Sequence, residues 1–290
     1  MNTNTISAAV AAMVCAAGAA HGAAIDRTLY AIGVNPNTGN QALIRFDPDN
    51  PTDEEYIGEL GITLPDFNTF LSYNPNDDAF YASSLDKMYR IDRYSGVTTD
   101  LNMVNTFRLQ GSTYLPSIGK TVVAHSLSGD AWDRRIAAVN PDGTLTELAN
   151  FNDGSLSVFQ DIDEMVYDPS TGDIFGYRFV DSEYYRIDTD TWTVIDIGTY
   201  TGSPAVFRGD VDPVTGDLYF DGADVIPGPG GTQFNGQLDI WTRSMPSHTL
   251  GGNTGSITLL EKIDGLAFVP APGSAGLLGL AGLVALRRRR

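Results

Sequence analysis

The sequence is poor in the residues that support thiol and transition-metal chemistry. It has one cysteine, Cys15, and three histidines among 290 residues. Cys15 is the single cysteine and lies in an apolar N-terminal segment, so we expect no disulfide within the chain and no thiolate chemistry in the segment that follows. Zinc sites built from cysteine and histidine are therefore not expected. The chain also lacks a Gly-x-Ser-x-Gly elbow and a P-loop, which argues against a serine hydrolase and a P-loop nucleotide enzyme.

Basic side chains are also scarce. The chain has 18 lysines and arginines against 36 acidic residues, for a formal net charge of −18, and four of the basic residues form the C-terminal run Arg287, Arg288, Arg289 and Arg290. Such an acidic body repels phosphate backbones and anionic lipids, so nucleic acid is excluded as a partner. The acidity is typical of a solvated exterior or of an affinity for cations.

The N-terminus is predicted to be a secretory signal peptide. Residues 1–22 contain no Asp, Glu, Lys or Arg, and the segment from Ile6 to Ala20 is rich in Ala, Val and Met. An apolar core followed by small residues, here Ala20 and Gly22, matches an export signal with its cleavage site. We therefore expect export by the Sec machinery, with residue 23 as the new N-terminus.

The C-terminus carries a short apolar segment followed by arginines. Gly273 to Leu286 is uncharged, and as a helix it would be about 21 Å long against a hydrocarbon core of about 30 Å. The arginines would remain on the cytoplasmic side, which leaves the body across the membrane. Both ends therefore predict the same topology, with the C-terminal helix as a temporary inner-membrane anchor.

At these residues the chain resembles the PEP-CTERM sorting tag of Gram-negative envelope proteins. Pro270 and Pro272 match the two prolines of the signature, while Ala271 replaces the usual glutamate. The resemblance implies a tag over 269–290, beginning at Val269, that an exosortase-type enzyme processes. It further implies a final location at the cell surface or in the extracellular matrix.

The segment between the two ends contains an internal repeat. A four-residue pattern recurs roughly every 40 to 57 residues. Its second residue is aromatic or apolar, and its fourth is a proline. Its copies are Ser72-Tyr73-Asn74-Pro75, Thr113-Tyr114-Leu115-Pro116, Val166-Tyr167-Asp168-Pro169, Asp210-Val211-Asp212-Pro213 and Ala267-Phe268-Val269-Pro270. Turn sequences such as Asp-Pro-x-Thr-Gly-Asp follow, and each unit continues into a second predicted hairpin.

Four short strands per unit predict an all-β fold, a five-bladed β-propeller over 23–268. The first unit, which starts at Thr28, lacks its opening strand, while the chain ends on the unpaired segment Asp264 to Val269. We expect this last strand to complete the first blade and close the ring. The repeats also resemble exported bacterial propellers of unassigned function, a similarity that implies the fold and carries no catalytic residues.

Carboxylates near the predicted innermost strands are the candidate catalytic groups. They are Asp163, Glu164, Asp210 and Asp264. Two carboxyl groups about 5 to 10 Å apart would suit glycoside hydrolysis. The equivalent positions of the other repeats are not consistently acidic, however, and an aspartate at the start of a strand often only caps a turn.

A second acidic group favours calcium among the metals, because it offers only hard oxygen ligands. Its members are Asp47, Asp49, Asp53 and Glu54. The run does not match an EF-hand, and an exposed acidic turn is the alternative. No organic cofactor is predicted.

Two further features bear on ligand binding. Val225 to Gly236 is predicted to be a long loop in the fifth unit, with Phe234, Asn235 and Gln237 as candidate contacts. Trp132, Trp192 and Trp241 would suit sugar stacking, although burial between blades is the commoner role of such aromatics.

The sequence thus favours an exported, envelope- or matrix-associated binding or scaffold protein over an enzyme. Its expected partner is an exopolysaccharide or a surface protein. The alternative is a secreted glycan-acting hydrolase with carboxylates near the channel.

Overall fold

A computed structural model describes the part of the chain that carries the repeats. The ranges it covers are residues 27–64, 69–104, 108–127, 135–151, 162, 164–169, 171–178, 183–199, 209–213, 215–221, 226–228, 231–233, 237–244, 249–258 and 263–270. Within these ranges the structure is all-β and contains no helix. The predicted signal peptide and all of the tag beyond residue 270 lie outside them. The described residues include no helix long and apolar enough to span a bilayer.

The strands form five four-stranded sheets, each built largely as an antiparallel meander of consecutive strands. The first sheet has the order β22-β1-β2-β3, with β1 at Arg27–Val34, β2 at Gln41–Asp47, β3 at Asn50–Glu59 and β22 at Ile263–Pro270. The C-terminal strand therefore lies beside the first strand of the chain, as its unpaired sequence predicted.

The other four sheets follow in chain order. The second contains β4 (Thr69–Asn74), β5 (Ala79–Ser84), β6 (Lys87–Asp92) and β7 (Thr98–Asp100). The third contains β8 (Arg108–Leu115), β9 (Lys120–Ser126), β10 (Arg135–Val139) and β11 (Leu145–Asn150). The fourth contains β12 (Glu164–Tyr167), β13 (Ile174–Arg178), β14 (Glu183–Ile187) and β15 (Val194–Thr199). The fifth contains β16 (Gly209–Val211), β17 (Leu218–Asp221), β20 (Gln237–Ser244) and β21 (Thr249–Thr258).

The predicted proline turns join the first two strands of a sheet. In the fourth sheet the N–H of Gly172 donates to the carbonyl of Asp168 at 2.8 Å, and the N–H of Asp168 donates to the carbonyl of Asp173 at 2.9 Å. Gly172 has a φ of +83°, which a glycine adopts without a steric penalty. The turn between Asp212 and Asp217 repeats both hydrogen bonds.

The sheets pack face to face, so their central strands are apolar on both faces. Strand β5 is buried at all six positions. Its Phe80 belongs to a core cluster shared with Tyr30 of the first sheet, whereas Tyr81 packs with Leu109 and Val123 of the third. Sheets covered on both faces are typical of propellers, and the arrangement of these sheets within the compact unit Thr28–Val269 is propeller-like.

Glycines allow the backbones of neighbouring sheets to touch. A Cβ on Gly58 of β3 would overlap the carbonyl oxygen of Ser95, which lies in the turn after β6. Gly96 in the same turn has a φ of +72°, and a Cβ there would overlap the carbonyl of Gly58. The second sheet can approach the first this closely only because both positions lack side chains.

Two sequence interpretations need correction. The segment from Val225 to Gly236 is not simply a loop, because β18 (Ile226–Gly228) and β19 (Gly231–Gln233) pair within it as a two-stranded ladder. The acidic run is a turn only in part: Asp47 and Asp49 lie at the β2–β3 turn, whereas Asp53 and Glu54 lie in β3, which runs from Asn50 to Glu59. An outer strand of the first sheet tolerates these charges because side chains such as that of Asp53 reach solvent, and charges on an edge strand also hinder its pairing with another chain.

Candidate functional site

The candidate site lies along one terminal strand of each sheet. We call β4, β8, β12, β16 and β22 the inner strands: each ends its sheet order, and each carries one copy of the proline-ended repeat. A terminal strand has one edge without a partner in its own sheet, and the backbone N–H groups on that edge require partners from elsewhere. The residues that meet this requirement connect one sheet to the next.

Neighbouring inner strands are joined by side chains at one position of the repeat, three residues before the proline. Thr113 occupies this position in β8, and its Oγ1 accepts the main-chain N–H of Tyr167 in β12 at 3.0 Å. Asp210 occupies it in β16, and its Oδ2 accepts the main-chain N–H of Phe268 in β22 at 2.8 Å. Because Tyr167 and Phe268 are also equivalent in the repeat, these two bonds are the same connection made in different places.

The remaining copies of this position do not make the same bond. Ser72 in β4 instead accepts a hydrogen bond from the hydroxyl of Ser112 in β8 at 3.3 Å. Val166 and Ala267 have no polar atom in their side chains. Sequence reasoning missed the role of Ser72 and Thr113, although the aligned repeats had placed both at the position of Asp210.

The carboxyl group of Asp210 has a strongly raised pKa. Desolvation by burial raises its pKa to about 7, and the charge of Asp212 acts in the same direction. The backbone N–H groups of Phe268 and Val211 oppose this rise, the latter donating to Oδ1 at 2.8 Å. The burial effect is larger, so the carboxyl group holds a proton over much of the range below neutrality.

Glu164 is the other catalytic candidate whose side chain is described. It is 4% exposed at the start of β12, the inner strand before that of Asp210. Its Oε1 accepts the N–H of Met165 at 3.2 Å. Asp163 lies outside the described residues, and Asp264 is described only as part of the backbone of β22. The structure thus places Glu164 and Asp210 on successive inner strands and leaves the other two catalytic predictions untested.

The predicted calcium ligands lie at the β2–β3 hairpin. The N–H of Asp49 donates to Oδ1 of Asp47 at 2.8 Å, as in an ordinary Asx-type turn. Asp53 and Glu54 follow within β3. Among the residues that the structure describes, no group of three or more acidic, histidine or cysteine side chains is arranged to hold a metal ion.

The start of the predicted sorting tag belongs to the folded body. Val269 is 2% exposed and packs in the core cluster that contains Tyr30 and Phe80. Pro270 is the last residue of β22. Ala271, Pro272 and the four terminal arginines lie outside the described residues.

Only part of the predicted aromatic and loop contacts can be placed. Trp192 follows β14 with a φ of +55° and packs, partly buried, against the core between the third and fourth sheets. Trp241 and Gln237 lie in β20, where the backbone alone is described. Trp132, Phe234 and Asn235 fall outside the described residues.

Comparison with known proteins yields similarity in structure alone. No family model matches the chain, and no curated protein matches it. A chain in the crystal structure of a nidogen/laminin complex is 11% identical, with 84% of this chain and 81% of that chain covered and a TM-score of 0.51. A protein of unknown function from Bacteroides caccae is 13% identical, with 80% and 73% covered and a TM-score of 0.43. The periplasmic gluconolactonase of Pseudomonas aeruginosa is 14% identical, with 86% and 100% covered and a TM-score of 0.40. The similarity to the nidogen/laminin chain concerns the fold alone, and it supports a β-propeller body.

Proposed function

We propose that this chain is an exported, envelope- or matrix-associated binding or scaffold protein whose body is a five-bladed β-propeller closed by β22. A PEP-CTERM-like tag directs it there, after passage through the Sec machinery and processing by an exosortase-type enzyme. Its partner is an exopolysaccharide or a surface protein. Nucleic acid is not a proposed partner, because the strong negative charge of the chain would repel the phosphate backbone.

Contacts between successive inner strands support the closed ring. Ser72 and Ser112 link β4 to β8, Thr113 links β8 to β12, and β12 contacts β16. Asp210 then links β16 to β22, and Gly265 of β22 lies so close to β4 that a Cβ there would be 3.0 Å from the Cβ of Leu71. Five strands that each contact the next, and return to the first, match a propeller of five blades.

One observation carries the preference for a binding or scaffold role over catalysis. Both carboxyl oxygens of Asp210 accept backbone N–H groups, Oδ1 from Val211 and Oδ2 from Phe268. A general acid or nucleophile must present an oxygen to the substrate. Oδ2 of Asp210 instead holds the last strand of the ring to β16, which is a structural task, and Oδ1 is bound within β16 itself.

The proposed location is tested by expressing the full chain in a Gram-negative host that has an exosortase and fractionating the cells. Mass spectrometry of the recovered termini should show a start at residue 23 and loss of the terminal arginines, in protein from the envelope or the medium. Cytosolic protein with Met1 and Arg290 intact would contradict export. Binding to a glycan array without release of reducing sugar would support the non-enzymatic role.

A secreted glycan-acting hydrolase is the second candidate, because the pKa of Asp210 is raised to about 7. A carboxyl group that is protonated near neutrality is the general acid that glycoside hydrolysis requires. Glu164, on the preceding inner strand, would supply the second carboxylate. Release of reducing sugar by the wild type, lost in Glu164→Gln, would establish this candidate, and no release from any glycan would remove it.

A further inference from the structure

A second polar site lies between the first and second sheets. It is formed at the turn between β4 and β5 and at the turn after β6. Three tyrosines surround an arginine there: Tyr30 from β1, Tyr73 from β4 and Tyr94 from the turn after β6. Arg93 lies among them, and Asp78 reaches them from the turn between β4 and β5. We call these five residues the tyrosine–arginine cluster.

Arg93 is held at the centre of the cluster. Its guanidinium carbon is 5.6 Å from the ring centroids of Tyr30 and Tyr73, and 5.5 Å from that of Tyr94. Its Nη1 donates to Oδ1 of Asp78 at 2.9 Å, and its side chain is 17% exposed. Three ring contacts and one ion pair fix the guanidinium, and the ion pair neutralises its charge.

Asp78 fixes two of the tyrosines. The hydroxyl of Tyr73 donates to Oδ1 at 2.6 Å, and the hydroxyl of Tyr94 donates to Oδ2 at 2.7 Å. The pKa of Asp78 is lowered to about 2, and the hydrogen bond from Tyr73 is the largest cause. The hydrogen bond from Tyr94 and the charge of Arg93 act in the same direction, whereas partial burial opposes them. The group is therefore ionised at any physiological pH, and its hydrogen bonds persist.

Tyr94 differs from the rest of the cluster because its ring is open to solvent. The residue is 71% exposed, yet its hydroxyl is bound to Asp78, its main-chain N–H donates to Oδ1 of Asp92 at 3.1 Å, and Arg93 lies over its ring. An aromatic ring held in place before a ligand arrives loses little conformational entropy on binding. The contacts of Arg93 and Tyr73 are explained by stabilisation of the fold. Stabilisation of the fold does not explain why the ring of Tyr94 is exposed.

We infer that the exposed ring of Tyr94, bordered by Asp78 and Arg93, binds a neutral polysaccharide. This inference rests on the proposed function, to which it adds a site and a class of partner. The apolar C–H face of a pyranose would stack on the ring, and its hydroxyls would bond to the carboxylate and guanidinium at the edge. Asn76 and Asp77, both exposed in the adjacent turn, extend the polar border toward a second sugar unit.

Charge and size favour this class of ligand over others. The chain carries a net charge of −18 and repels acidic polymers. Arg93 is already paired with Asp78, so the cluster has no free cation of its own for a uronate or sulfate. One exposed ring within a polar border is also far smaller than the surface of about 800 Å² per partner that stable protein interfaces bury.

Affinity electrophoresis of the full chain tests the inference. The native gels contain dextran, galactomannan or arabinogalactan as neutral probes, polygalacturonate as an acidic probe and casein as a protein probe. At least one neutral polymer should retard the wild type. Tyr94→Ala should weaken that binding about tenfold or more, because it removes the stacking ring. Tyr94→Phe keeps the ring and should retain most of the binding.

Val97→Ala is the matched control, since Val97 is 60% exposed and follows Tyr94 by three residues. It should bind like the wild type, and the thermal melting of all variants should agree with that of the wild type. Equal retardation of the wild type and Tyr94→Ala would overturn this site while leaving a binding propeller in place. Retardation by casein or polygalacturonate, but by no neutral polymer, would overturn the assigned ligand class. Export, tested by fractionation, is independent of every one of these results.

Discussion

The carboxyl group of Asp210 accepts the main-chain N–H of Phe268 at 2.8 Å, although the two residues are 58 positions apart in the chain. The bond joins β16 of the fifth sheet to β22 of the first. It is equivalent to the bond between Thr113 and Tyr167, which joins the third sheet to the fourth. Asp210 therefore makes, between the fifth sheet and the C-terminal strand β22, a connection that a neutral hydroxyl makes elsewhere.

Removing this connection should destabilise the body. In Asp210→Ala the N–H of Phe268 loses its acceptor, and a buried donor left without a partner costs about 1 to 3 kcal/mol. The free energy of unfolding in urea should fall by that amount. Asp217→Ala, in the neighbouring turn, should change it by less than about 0.5 kcal/mol, as surface substitutions usually do. Equal stability of Asp210→Ala and the wild type would show that the bond contributes nothing.

The raised pKa of Asp210 predicts a pH dependence of stability. An unfolded aspartate titrates near 3.8, whereas the folded carboxyl titrates near 7. Between these values the folded state holds a proton that the unfolded state has released, so this contribution is complete below about pH 4 and is lost as the pH rises toward 7. Asp210→Asn cannot titrate, and the wild type should therefore lose stability relative to this variant from pH 4 to 7.

The measurement is urea unfolding of both proteins at several pH values, with the difference between them as the readout. Taking the difference cancels the contributions of the other titrating groups, among them the carboxylates of Asp92 and Asp188, whose pKa values are lowered by hydrogen bonds. A difference that is constant across pH 4 to 7 would mean that Asp210 titrates like an exposed aspartate.

The close approach of the first two sheets predicts an unusual sensitivity at Gly58. In Gly58→Ala the new methyl group would overlap the carbonyl of Ser95, and backbone cannot move aside as a flexible side chain can. We expect a loss of about 2 kcal/mol or more in thermal or urea unfolding. Gly33→Ala is the control, because its Cβ would meet only side-chain atoms of Ile44, the nearest being the terminal Cδ1 at 2.9 Å. Similar losses in the two variants would refute the predicted contact.

The repeats made much of the fold predictable. A proline fixes the end of each inner strand, and segments such as Met88 to Asp92 and Tyr184 to Asp188 alternate as strands do, so their positions agree with β6 and β14. The pairing of β22 with β1 was also predictable, because the first unit lacked a strand and the last segment lacked a sheet.

The site was harder to predict, because its contacts join residues in different repeats. Asp210 was predicted as a catalytic candidate from its place beside an inner strand. The sequence could not show that both of its oxygens accept backbone N–H groups. The tyrosine–arginine cluster was missed for the same reason: Tyr30 and Arg93 are 63 residues apart, and only the packing of two sheets brings them together. Val269 was assigned to the tag because apolar residues of a strand and of a sorting signal look alike in sequence.

Closure of the ring by β22 is the claim on which the account depends, and two truncations test it directly. Removing residues 271–290 leaves β22 intact and should not change thermal unfolding of the body. Removing residues 263–290 also deletes Leu266, Phe268 and Val269, which are at most 4% exposed. Each such side chain contributes about 1.5 to 3 kcal/mol when buried, and together they approach the total stability of a domain. The account predicts that the longer truncation unfolds at a much lower temperature or without cooperativity, and equal melting of the two truncated proteins would contradict it.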